Sequence, residues 1–240
     1  MAGRKVVLIT GASRGIGKAL AAGAAEEGYD VAINYRSQRA LAEALAADLS
    51  KLGVQARAIQ ADVGMAEDAG RLVSEVIERF GRVDCLVNNA GVGDVIALQD
   101  LDESAFERTL RGNLISAFLV SQAAWPHMME RGGRLVFLSS GAARTGGGLS
   151  AAYAASKAGI EGLMHYYATY LRPHRITANA IAPALIESDM VKRMDLPPPG
   201  QLPLGRIGRP EELWPALRMI IEPDYLTGQT IHVDAGRCMT

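Results

Sequence analysis

A tyrosine and a lysine, Tyr153 and Lys157, stand four residues apart in an alanine-rich run without proline from Ser150 to Met164. On a helix this spacing places both side chains on one face, one turn apart. A free tyrosine has a pKa of about 10, and a neighbouring ammonium group stabilises the phenolate, so we expect Lys157 to lower the pKa of Tyr153. Such a tyrosine exchanges a proton with a carbonyl or hydroxyl oxygen. The same spacing also fits an ordinary amphipathic pair, and other parts of the chain must decide.

A glycine-rich turn follows the first predicted strand. Lys5 to Thr10 is apolar and β-branched, and Gly11, Gly15 and Gly17 come next, before an alanine-rich helical segment over 18–27. Glycine lets the backbone approach a ligand, and the following helix offers unpaired N–H groups to a phosphate. The spacing Gly-x-x-x-Gly-x-Gly differs from the commoner dinucleotide fingerprint, and a tight turn also needs glycine. Its position between a strand and a helix indicates a nucleotide-phosphate site.

The residues after the second predicted strand bear on which dinucleotide would bind. An NAD site carries an acidic residue about 20 residues past the glycines, where it holds the ribose hydroxyls. After the strand Val31 to Tyr35 no acid is present; Arg36 and Ser37 stand there, and Arg14 projects from the glycine-rich turn. A guanidinium and a hydroxyl bind a 2′-phosphate, which a carboxylate would repel. The pattern favours NADP over NAD, although any single arginine at this position also fits a solvated surface residue.

Polar side chains also follow the next two predicted strands. Asp62 comes after the strand Gln55 to Gln60 and either accepts a hydrogen bond from an adenine amine or caps the helix predicted from Glu67 to Phe80. The strand Val83 to Asn88 leads into Asn88-Asn89-Ala90-Gly91. Open parallel sheets bind their ligands at the carboxyl ends of their strands. The second group therefore fits a ligand site as well as a simple polar turn.

Three further features lie in the second half of the chain. Asn113 interrupts a mostly helical stretch from Glu103 to Met129, and because asparagine is unfavourable inside helices we expect it to hold a water or to bend the helix. Ser140 follows the strand Arg134 to Ser139 and either presents its hydroxyl to a substrate or bonds locally in a turn. Ala184 to Gly205 lacks periodicity, which predicts a lid or a substrate-contact loop.

Composition narrows the class of protein. The chain has 240 residues, 49% of them hydrophobic, and its 25 basic and 26 acidic residues give a net charge of -1. This balance argues against a surface that binds nucleic acid or anionic lipid. Cys85 and Cys238 form no pattern typical of a disulfide framework or a zinc site. We see no signal peptide and no membrane-spanning segment, so we expect a cytoplasmic protein without a metal site.

The order of predicted elements indicates the fold. Predicted strands alternate with helices along the chain, a short helix begins at Arg209, and the last strand is Thr230 to Val233. This alternation predicts an α/β protein with a doubly wound parallel sheet of about seven strands, helices on both faces and right-handed crossovers. No linker or repeat divides the chain. We therefore expect residues 1–240 to form a single dinucleotide-binding domain of the Rossmann type.

The motifs together resemble the short-chain dehydrogenase/reductase family over essentially the whole chain. Family landmarks occur in the family's order, with Ser140 thirteen residues before Tyr153. They are Thr10-Gly11-Ala12-Ser13-Arg14-Gly15-Ile16-Gly17, Asn88-Asn89-Ala90-Gly91, Asn113, Ser140, Tyr153-x-x-x-Lys157 and, later, Ile181-Ala182-Pro183 and Leu226-Thr227-Gly228-Gln229. Within the family the chain is most similar to the bacterial 3-oxoacyl-[acyl-carrier-protein] reductases, which share the opening TGASRGIG.

The resemblance implies an oxidoreductase that uses NADP(H) to reduce a carbonyl. Tyr153 would donate the proton, and Lys157 would lower its pKa and bond the nicotinamide ribose. Ser140 would polarise the carbonyl oxygen, and Asn113 would position a water that links Lys157 to solvent. Besides Tyr153 and Lys157, the residues that would contact the cofactor are Gly11, Ser13, Arg14, Gly15, Ile16, Gly17, Arg36, Ser37, Asp62, Val63, Asn89, Ala90, Gly91, Pro183, Ile186 and Ser188.

The resemblance leaves several candidate substrates. The best candidate is a 3-oxoacyl thioester on acyl carrier protein, as in fatty acid biosynthesis, with Arg131 and Arg172 as a basic patch near the site. The alternatives are another small ketone or alcohol, such as a sugar, a cyclic ketone or a xenobiotic, and a non-catalytic dinucleotide-binding sensor or scaffold. The resemblance also implies a homotetramer built on the helices predicted over 103–129 and 150–170.

The chain departs from the family's usual pattern at three places. Pro183-Ala184 stands in place of Pro-Gly, Ser188 in place of a threonine, and Ala235-Gly236 in place of Gly-Gly. An alanine in place of glycine matters only where the backbone needs a positive φ. Ser188 keeps a hydroxyl for the nicotinamide carboxamide. The departures leave the hydride chemistry intact and bear on the substrate and on subunit contacts.

Overall fold

The computed structural model describes residues 3–239. Its strands are β1 Val6–Ile9, β2 Asp30–Tyr35, β3 Ala56–Gln60, β4 Cys85–Asn88, β5 Gly133–Leu138, β6 Ile176–Pro183 and β7 Thr230–Val233. They form one parallel sheet in the order β3-β2-β1-β4-β5-β6-β7. The strand order reverses between β1 and β4, and ligands bind beside such a switch point, at the carboxyl ends of the strands. The predicted fold class and strand number are confirmed.

Helices cover both faces of the sheet. They are α1 Gly15–Glu26, α2 Arg39–Ser50, α3 Ala66–Phe80, α4 Glu103–Leu110, α5 Ser116–Ala124, α6 Ala142–Thr145, α7 Ala151–Tyr170 and α8 Trp214–Ile221. One core lies between the sheet and α1, α2 and α8, and the other lies between the sheet and α3, α5 and α7. Because both faces are covered, the central strands β1, β4 and β5 are buried along almost their whole length rather than at alternate residues.

Close packing of α1 against α8 depends on a glycine. A Cβ built on Gly23 would lie 2.4 Å from the ring of Trp214. Any side chain at that position would push α8 away from the core that it shares with α1. This packing fixes the position of α1, and the glycine-rich turn leads directly into that helix.

The stretch from Glu103 to Met129 is mostly helical, as predicted, and its helical geometry changes around Asn113. A π-helical turn, Arg111–Ile115, separates α4 from α5, and a 3₁₀ turn, Trp125–Met128, follows α5. Asn113 lies at the centre of the π turn and is fully buried. Single π turns inside α-helices are frequent at functional sites. The residue that is unfavourable in a regular helix thus coincides with a local change of helical geometry.

The segment from Ala184 to Gly205 has no regular helix, as predicted. It contains three short 3₁₀ turns, at Val191–Arg193, Pro199–Gln201 and Pro203–Gly205. We call this segment the lid, because it lies over the carboxyl ends of the strands described below. No helix among the described residues is long and apolar enough to span a membrane.

The two alanines that replace family glycines differ in backbone conformation. Ala235 has a φ of 56°, in the left-handed region, whereas Ala184 is not among the described residues with positive φ. A Cβ in the left-handed region is strained by the neighbouring carbonyl. The substitution at Ala184 is therefore free of backbone strain, and the one at Ala235 is not.

Glycine at these two positions should have opposite effects on stability. Ala235→Gly relieves the strain and should raise the free energy of unfolding by roughly 1 kcal/mol. Ala184→Gly only adds freedom to the unfolded chain and should lower it by roughly 0.5 to 1 kcal/mol. Urea denaturation of the two variants beside the wild type measures both shifts. Equal destabilisation by both changes would contradict the assignment of strain to Ala235.

Candidate active site

Helix α7 places the tyrosine and the lysine against the sheet. Ser150 precedes the helix with extended backbone, and its Oγ accepts a hydrogen bond from the backbone N–H of Tyr153 at 3.3 Å. Tyr153 is 9% exposed and Lys157 5% exposed, so the two share one buried face. A solvent-facing amphipathic pair would have left the lysine in water. The ordinary interpretation of their spacing is therefore wrong.

The pKa of Tyr153 is raised in this structure, whereas the spacing predicted a lowered value. Burial raises the pKa of Tyr153 above its usual value, and a hydrogen bond with Ser140 opposes that rise. Burial lowers the pKa of Lys157 to about 8. Lys157 Nζ donates to the Leu138 carbonyl oxygen at 2.7 Å and lies 5.5 Å from the centre of the Tyr153 ring. Loss of hydration disfavours both charged forms, and it is the largest cause of both pKa shifts.

Ser140 stands at the end of β5, directly across from the tyrosine. Its Oγ accepts a hydrogen bond from the Ala142 N–H at 3.2 Å, at the start of α6. The predicted local turn bond therefore exists, and the hydroxyl also contacts the Tyr153 phenol. The two interpretations of Ser140 are compatible, because a hydroxyl has one donor and two acceptor positions.

The side chain of Asn113 is already occupied by protein groups. Its Oδ1 accepts from the Val92 N–H at 2.7 Å, and its Nδ2 donates to the Val92 carbonyl at 3.0 Å and to Ser156 Oγ at 2.9 Å. Asn113 thereby ties the loop after β4 to α7. A Cβ on Gly91 would lie 3.2 Å from Asn113 Oδ1 and 3.7 Å from Lys157 Nζ. Asn113 and Lys157 therefore face the same point beside Gly91.

The glycine-rich turn exposes the N-terminus of α1. Gly15 has a φ of 56°, and a Cβ there would meet no atom within 4 Å. Gly17 serves packing instead, since a Cβ there would lie 2.5 Å from Asn89 Nδ2. No side chain caps the helix at Arg14. The first N–H groups of α1 are thus open to an anion, and the space above them suits a phosphate.

Asn89 holds this turn in place rather than pointing at a ligand. Its Nδ2 donates to the carbonyls of Thr10 and Gly11 at 2.8 and 3.1 Å. Sequence reasoning missed a second support, Asn34, whose Oδ1 accepts from the Gly11 N–H at 3.1 Å. Asn34 is 1% exposed. The sequence does contain a sign of this role, because Asn34 is a polar residue within the otherwise apolar run of β2.

The arginines proposed for a 2′-phosphate both contact acids. Arg14 Nη1 lies 2.6 Å from Asp189 Oδ2 in the lid, and Arg36 Nη1 lies 4.0 Å from Asp62 Oδ2. Asp62 does not cap α3, because Met65 precedes that helix and Asp62 Oδ1 accepts from the Gly64 N–H at 3.0 Å. Of the two predicted roles of Asp62, the helix cap is excluded and the contact with the adenine amine remains a prediction.

A single cleft of about 1040 Å³ brings the predicted residues together. It lies at the carboxyl ends of the strands, and only Asn113 among the predicted site residues is absent from its lining, because it lies beneath the surface. The predicted residues that line it are Gly11, Ser13, Arg14, Gly15, Ile16, Gly17, Arg36, Ser37, Asp62, Val63, Asn89, Ala90, Gly91, Ser140, Tyr153, Lys157, Pro183, Ile186 and Ser188.

An apolar cluster next to the cleft contains residues that sequence reasoning did not single out, and its members Tyr153 and Met190 also line the cleft. Leu149 packs with Tyr153 in a small apolar cluster, and Met190 and Met194 of the lid pack against it. A Cβ on Gly93 would lie 2.9 to 3.0 Å from atoms of Leu149, Met190 and Tyr153. These residues are brought together from three loops, so no local pattern marks them.

A doubly wound sheet whose carboxyl edge carries a phosphate-binding helix terminus and a buried tyrosine, lysine and serine defines a dinucleotide-dependent oxidoreductase. Residues 5–197 match the family model for the short chain dehydrogenases. The chain belongs to this family. It is an oxidoreductase of the short-chain dehydrogenase/reductase type.

Individual relatives match the chain over almost all of its length. The 3-oxoacyl-[acyl-carrier-protein] reductase FabG of Staphylococcus aureus is 38% identical, with 98% of each chain covered. The L-rhamnose 1-dehydrogenase (NAD(P)(+)) of a Sphingomonas species is 37% identical, with 97% of this chain and 95% of the relative covered. A solved short-chain dehydrogenase/reductase of Serratia marcescens superposes with a TM-score of 0.90 at 34% identity, with 98% of each chain covered.

The pH dependence of turnover should follow Lys157. Its pKa is lowered to about 8, so the ammonium is present at neutral pH and is lost as the pH rises through about 8. If the ammonium stabilises charge at Tyr153, kcat/KM falls above that pH. Steady-state rates from about pH 6 to about pH 10 measure the decline.

Two lysine variants control for the pH profile. Lys157→Met should lower kcat/KM by roughly 100-fold or more, because it removes the charge. Lys51→Met, at an exposed lysine paired with Asp48, should leave the profile unchanged. A wild-type profile that stays flat across the range contradicts the role of the ammonium.

Proposed function

We propose that the protein reduces the carbonyl of a 3-oxoacyl-[acyl-carrier-protein] with NADPH. The observation that carries this proposal is the apolar cluster of Ala142, Leu149 and Tyr153, against which Met190 and Met194 of the lid pack; Tyr153 and Met190 of this cluster line the cleft. Methylene groups bury favourably against such a cluster. The similarity to the Staphylococcus aureus reductase over the whole chain supports the same substrate.

A sugar substrate is the second candidate, because one relative carries the name of a rhamnose dehydrogenase. A sugar presents several hydroxyls, and each one buried without a partner costs roughly 1 to 3 kcal/mol. The apolar cluster of Leu149, Met190 and Met194 offers such hydroxyls no side-chain hydrogen-bond partner. Asp94 and Arg193 lie at the mouth of the cleft but pair with each other at 3.2 Å. The acyl substrate therefore fits this cleft better.

The dihydronicotinamide of the cofactor supplies the hydride. As the carbonyl carbon is reduced, its oxygen gains negative charge, and the hydroxyls of Ser140 and Tyr153 donate hydrogen bonds to it. Tyr153 then transfers its proton to that oxygen. The raised pKa of Tyr153 suits this direction of the reaction, because the phenol is protonated at neutral pH. The Lys157 ammonium offsets the phenolate charge that develops.

Resupply of the proton is assigned to Lys157 and Asn113. Lys157 Nζ and Asn113 Oδ1 face the same point beside Gly91. The Asn113 amide is bonded to Val92 and Ser156, so its part is to hold this loop and to leave room for a water, rather than to turn toward solvent. From there a proton passes to Lys157 and on to Tyr153.

The phosphate end of the cleft fits NADP. The uncapped N-terminus of α1 suits the pyrophosphate, and Gly15 leaves the space above it open. Arg36 and Ser37 follow β2, where the ribose of the adenine half would lie, and Arg14 stands at the other side of the turn. Guanidinium groups bind phosphate through paired charge-assisted hydrogen bonds. We assign the 2′-phosphate to Arg36 and Arg14.

Removing Arg36 should weaken the binding of NADPH and not that of NADH. Arg36→Ala should raise the Kd for NADPH by roughly 10-fold to 100-fold, the loss expected for hydrogen bonds to a charged group. The Kd for NADH should change little. Arg39→Ala removes an exposed arginine paired with Glu43 nearby and should affect neither cofactor. A wild-type rate with NADH equal to or above that with NADPH would refute the NADP assignment.

A substrate panel tests the reaction itself. The wild type should reduce an acetoacetyl thioester with NADPH far faster than it reduces simple ketones or oxidises L-rhamnose. Tyr153→Phe should lower kcat by roughly 100-fold to 10,000-fold, the usual contribution of a general acid, without changing the Kd for NADPH.

A tyrosine on the same helix provides the control. Tyr167→Phe removes a buried hydroxyl that has no hydrogen-bond partner among residues 3–239, and it should keep full activity. Tight NADPH binding with no turnover on any carbonyl of the panel would favour the non-catalytic sensor or scaffold. Retention of most of the activity in Tyr153→Phe would overturn the assigned proton donor.

The basic patch predicted from Arg131 and Arg172 does not lie beside the site of its own chain. Arg131 precedes β5 and Arg172 precedes β6, so both lie at the amino ends of these strands. The cleft lies at the carboxyl ends, and a six-residue strand such as β5 spans about 20 Å. A carrier protein bound to Arg131 and Arg172 would therefore deliver its acyl chain to the active site of another subunit.

We propose that the chain forms a homotetramer in which α5 and α7 pair with those of a second copy. Phe118, Tyr166 and Tyr170 are 39%, 60% and 61% exposed on these two helices. Antiparallel pairing of α7 would bring the Arg172 end of one copy toward the Tyr153 end of the other. Sedimentation velocity should show four chains, and a smaller species after Tyr166→Ser with Tyr170→Ser; a monomeric wild type would contradict the assembly.

A further inference from the structure

A buried carboxylate lies on the catalytic helix without a part in the mechanism above. Glu161 follows Lys157 by four residues, so it occupies the same face of α7, one turn further from Tyr153. It is 9% exposed. A carboxylate removed from water is unfavourable unless it is paired and hydrogen-bonded. Its contacts therefore show what it holds.

Glu161 holds the residue that precedes the catalytic serine. Its Oε1 accepts a hydrogen bond from Ser139 Oγ at 2.8 Å, and Ser139 is 2% exposed. Ser139 Oγ also lies 3.4 Å from the Lys157 carbonyl oxygen. Lys157 Nζ also donates to the Leu138 carbonyl oxygen. Two successive residues at the end of β5, Leu138 and Ser139, are therefore hydrogen-bonded to α7.

The same carboxylate also contacts the segment after the serine. Glu161 Oε2 lies 3.7 Å from Arg144 Nη2, on the short helix α6. Arg144 is half-exposed, so solvent weakens this ion pair. The bond to Ser139 is buried and is the stronger of the two. Ser140 is thus held from both sides, mainly through Ser139.

We propose that Glu161 is a positioning residue for carbonyl reduction: acting through Ser139, it fixes the Ser140 hydroxyl relative to the Tyr153 hydroxyl. This inference rests on the proposed function. Both hydroxyls must point at one oxygen atom, and a displacement of about 1 Å can cost a factor of about 100 in rate. The hydrogen bond to Ser139, rather than the negative charge, carries the effect.

Three variants separate the hydrogen bond from the charge. Glu161→Leu removes both, Ser139→Ala removes the hydrogen bond, and Glu161→Gln keeps an acceptor for Ser139 while losing the charge. We expect Glu161→Leu and Ser139→Ala to lower kcat by roughly 10-fold to 100-fold with the Kd for NADPH unchanged. Glu161→Gln should stay within about 3-fold of the wild type.

Kinetic outcomes decide the proposal when the wild type is active. Wild-type kcat in Glu161→Leu overturns it, and so does an equal loss in Glu161→Gln, which would assign the effect to the charge. A parallel rise in the Kd for NADPH in Glu161→Leu shows a general structural role and also overturns it. Failure of the proposed function is separate, since the wild type itself would then show no turnover.

Crystal structures supply a readout that does not need turnover. In Glu161→Leu, Ser140 Oγ should move away from the Tyr153 hydroxyl relative to its place in the wild type, and Glu161→Gln should restore it. An unmoved Ser140 in Glu161→Leu overturns the proposal whatever the substrate of the enzyme.

Discussion

The structure depends on the burial of a lysine ammonium against the end of a strand. Lys157 Nζ donates to the Leu138 carbonyl at 2.7 Å with almost no exposure to water. Taking an ammonium out of water costs several kcal/mol after relaxation, and the lowered pKa of Lys157 expresses that cost. In return for this cost, the hydrogen bond fixes the position of α7 relative to the end of β5. Tyr153 and Ser140 meet as a result.

Most polar groups around this contact are used to hold backbone rather than to face the cleft. The Asn113 side chain donates to and accepts from Val92 in the loop after β4, and Asn89 donates to Thr10 and Gly11 after β1. Asn34 accepts from the Gly11 N–H and holds the glycine-rich turn. The hydroxyls of Tyr153 and Ser140, by contrast, line the cleft. A network in which the supporting groups are satisfied keeps the reacting groups in one arrangement, since each unsatisfied partner would be costly. In the proposed mechanism, catalytic precision thus comes from residues that never meet the substrate.

Sequence periodicity and motif spacing predicted the sheet, and they placed β7 at the residues where it lies. They also placed Ser140 and the turns after β1 and β4 at the cleft, because strand ends in an open parallel sheet converge, whereas Ile186 and Ser188 came from the family resemblance alone. They failed where long-range contacts decide. The direction of the Tyr153 pKa shift depends on burial. The π turn at Asn113 depends on its contacts with Val92 and Ser156. The distance of Arg172 from the cleft follows from its place at the amino end of β6.

The central claim is that the Tyr153 phenol is aimed at the carbonyl that receives the hydride. A crystal structure of the enzyme with NADP⁺ and a 3-hydroxyacyl pantetheine thioester tests it most directly. We expect the 3-hydroxyl oxygen within hydrogen-bond distance of both Tyr153 Oη and Ser140 Oγ, and the carbon that bears it facing C4 of the nicotinamide. A Tyr153 hydroxyl turned away from the nicotinamide, or a thioester bound elsewhere, would contradict the account.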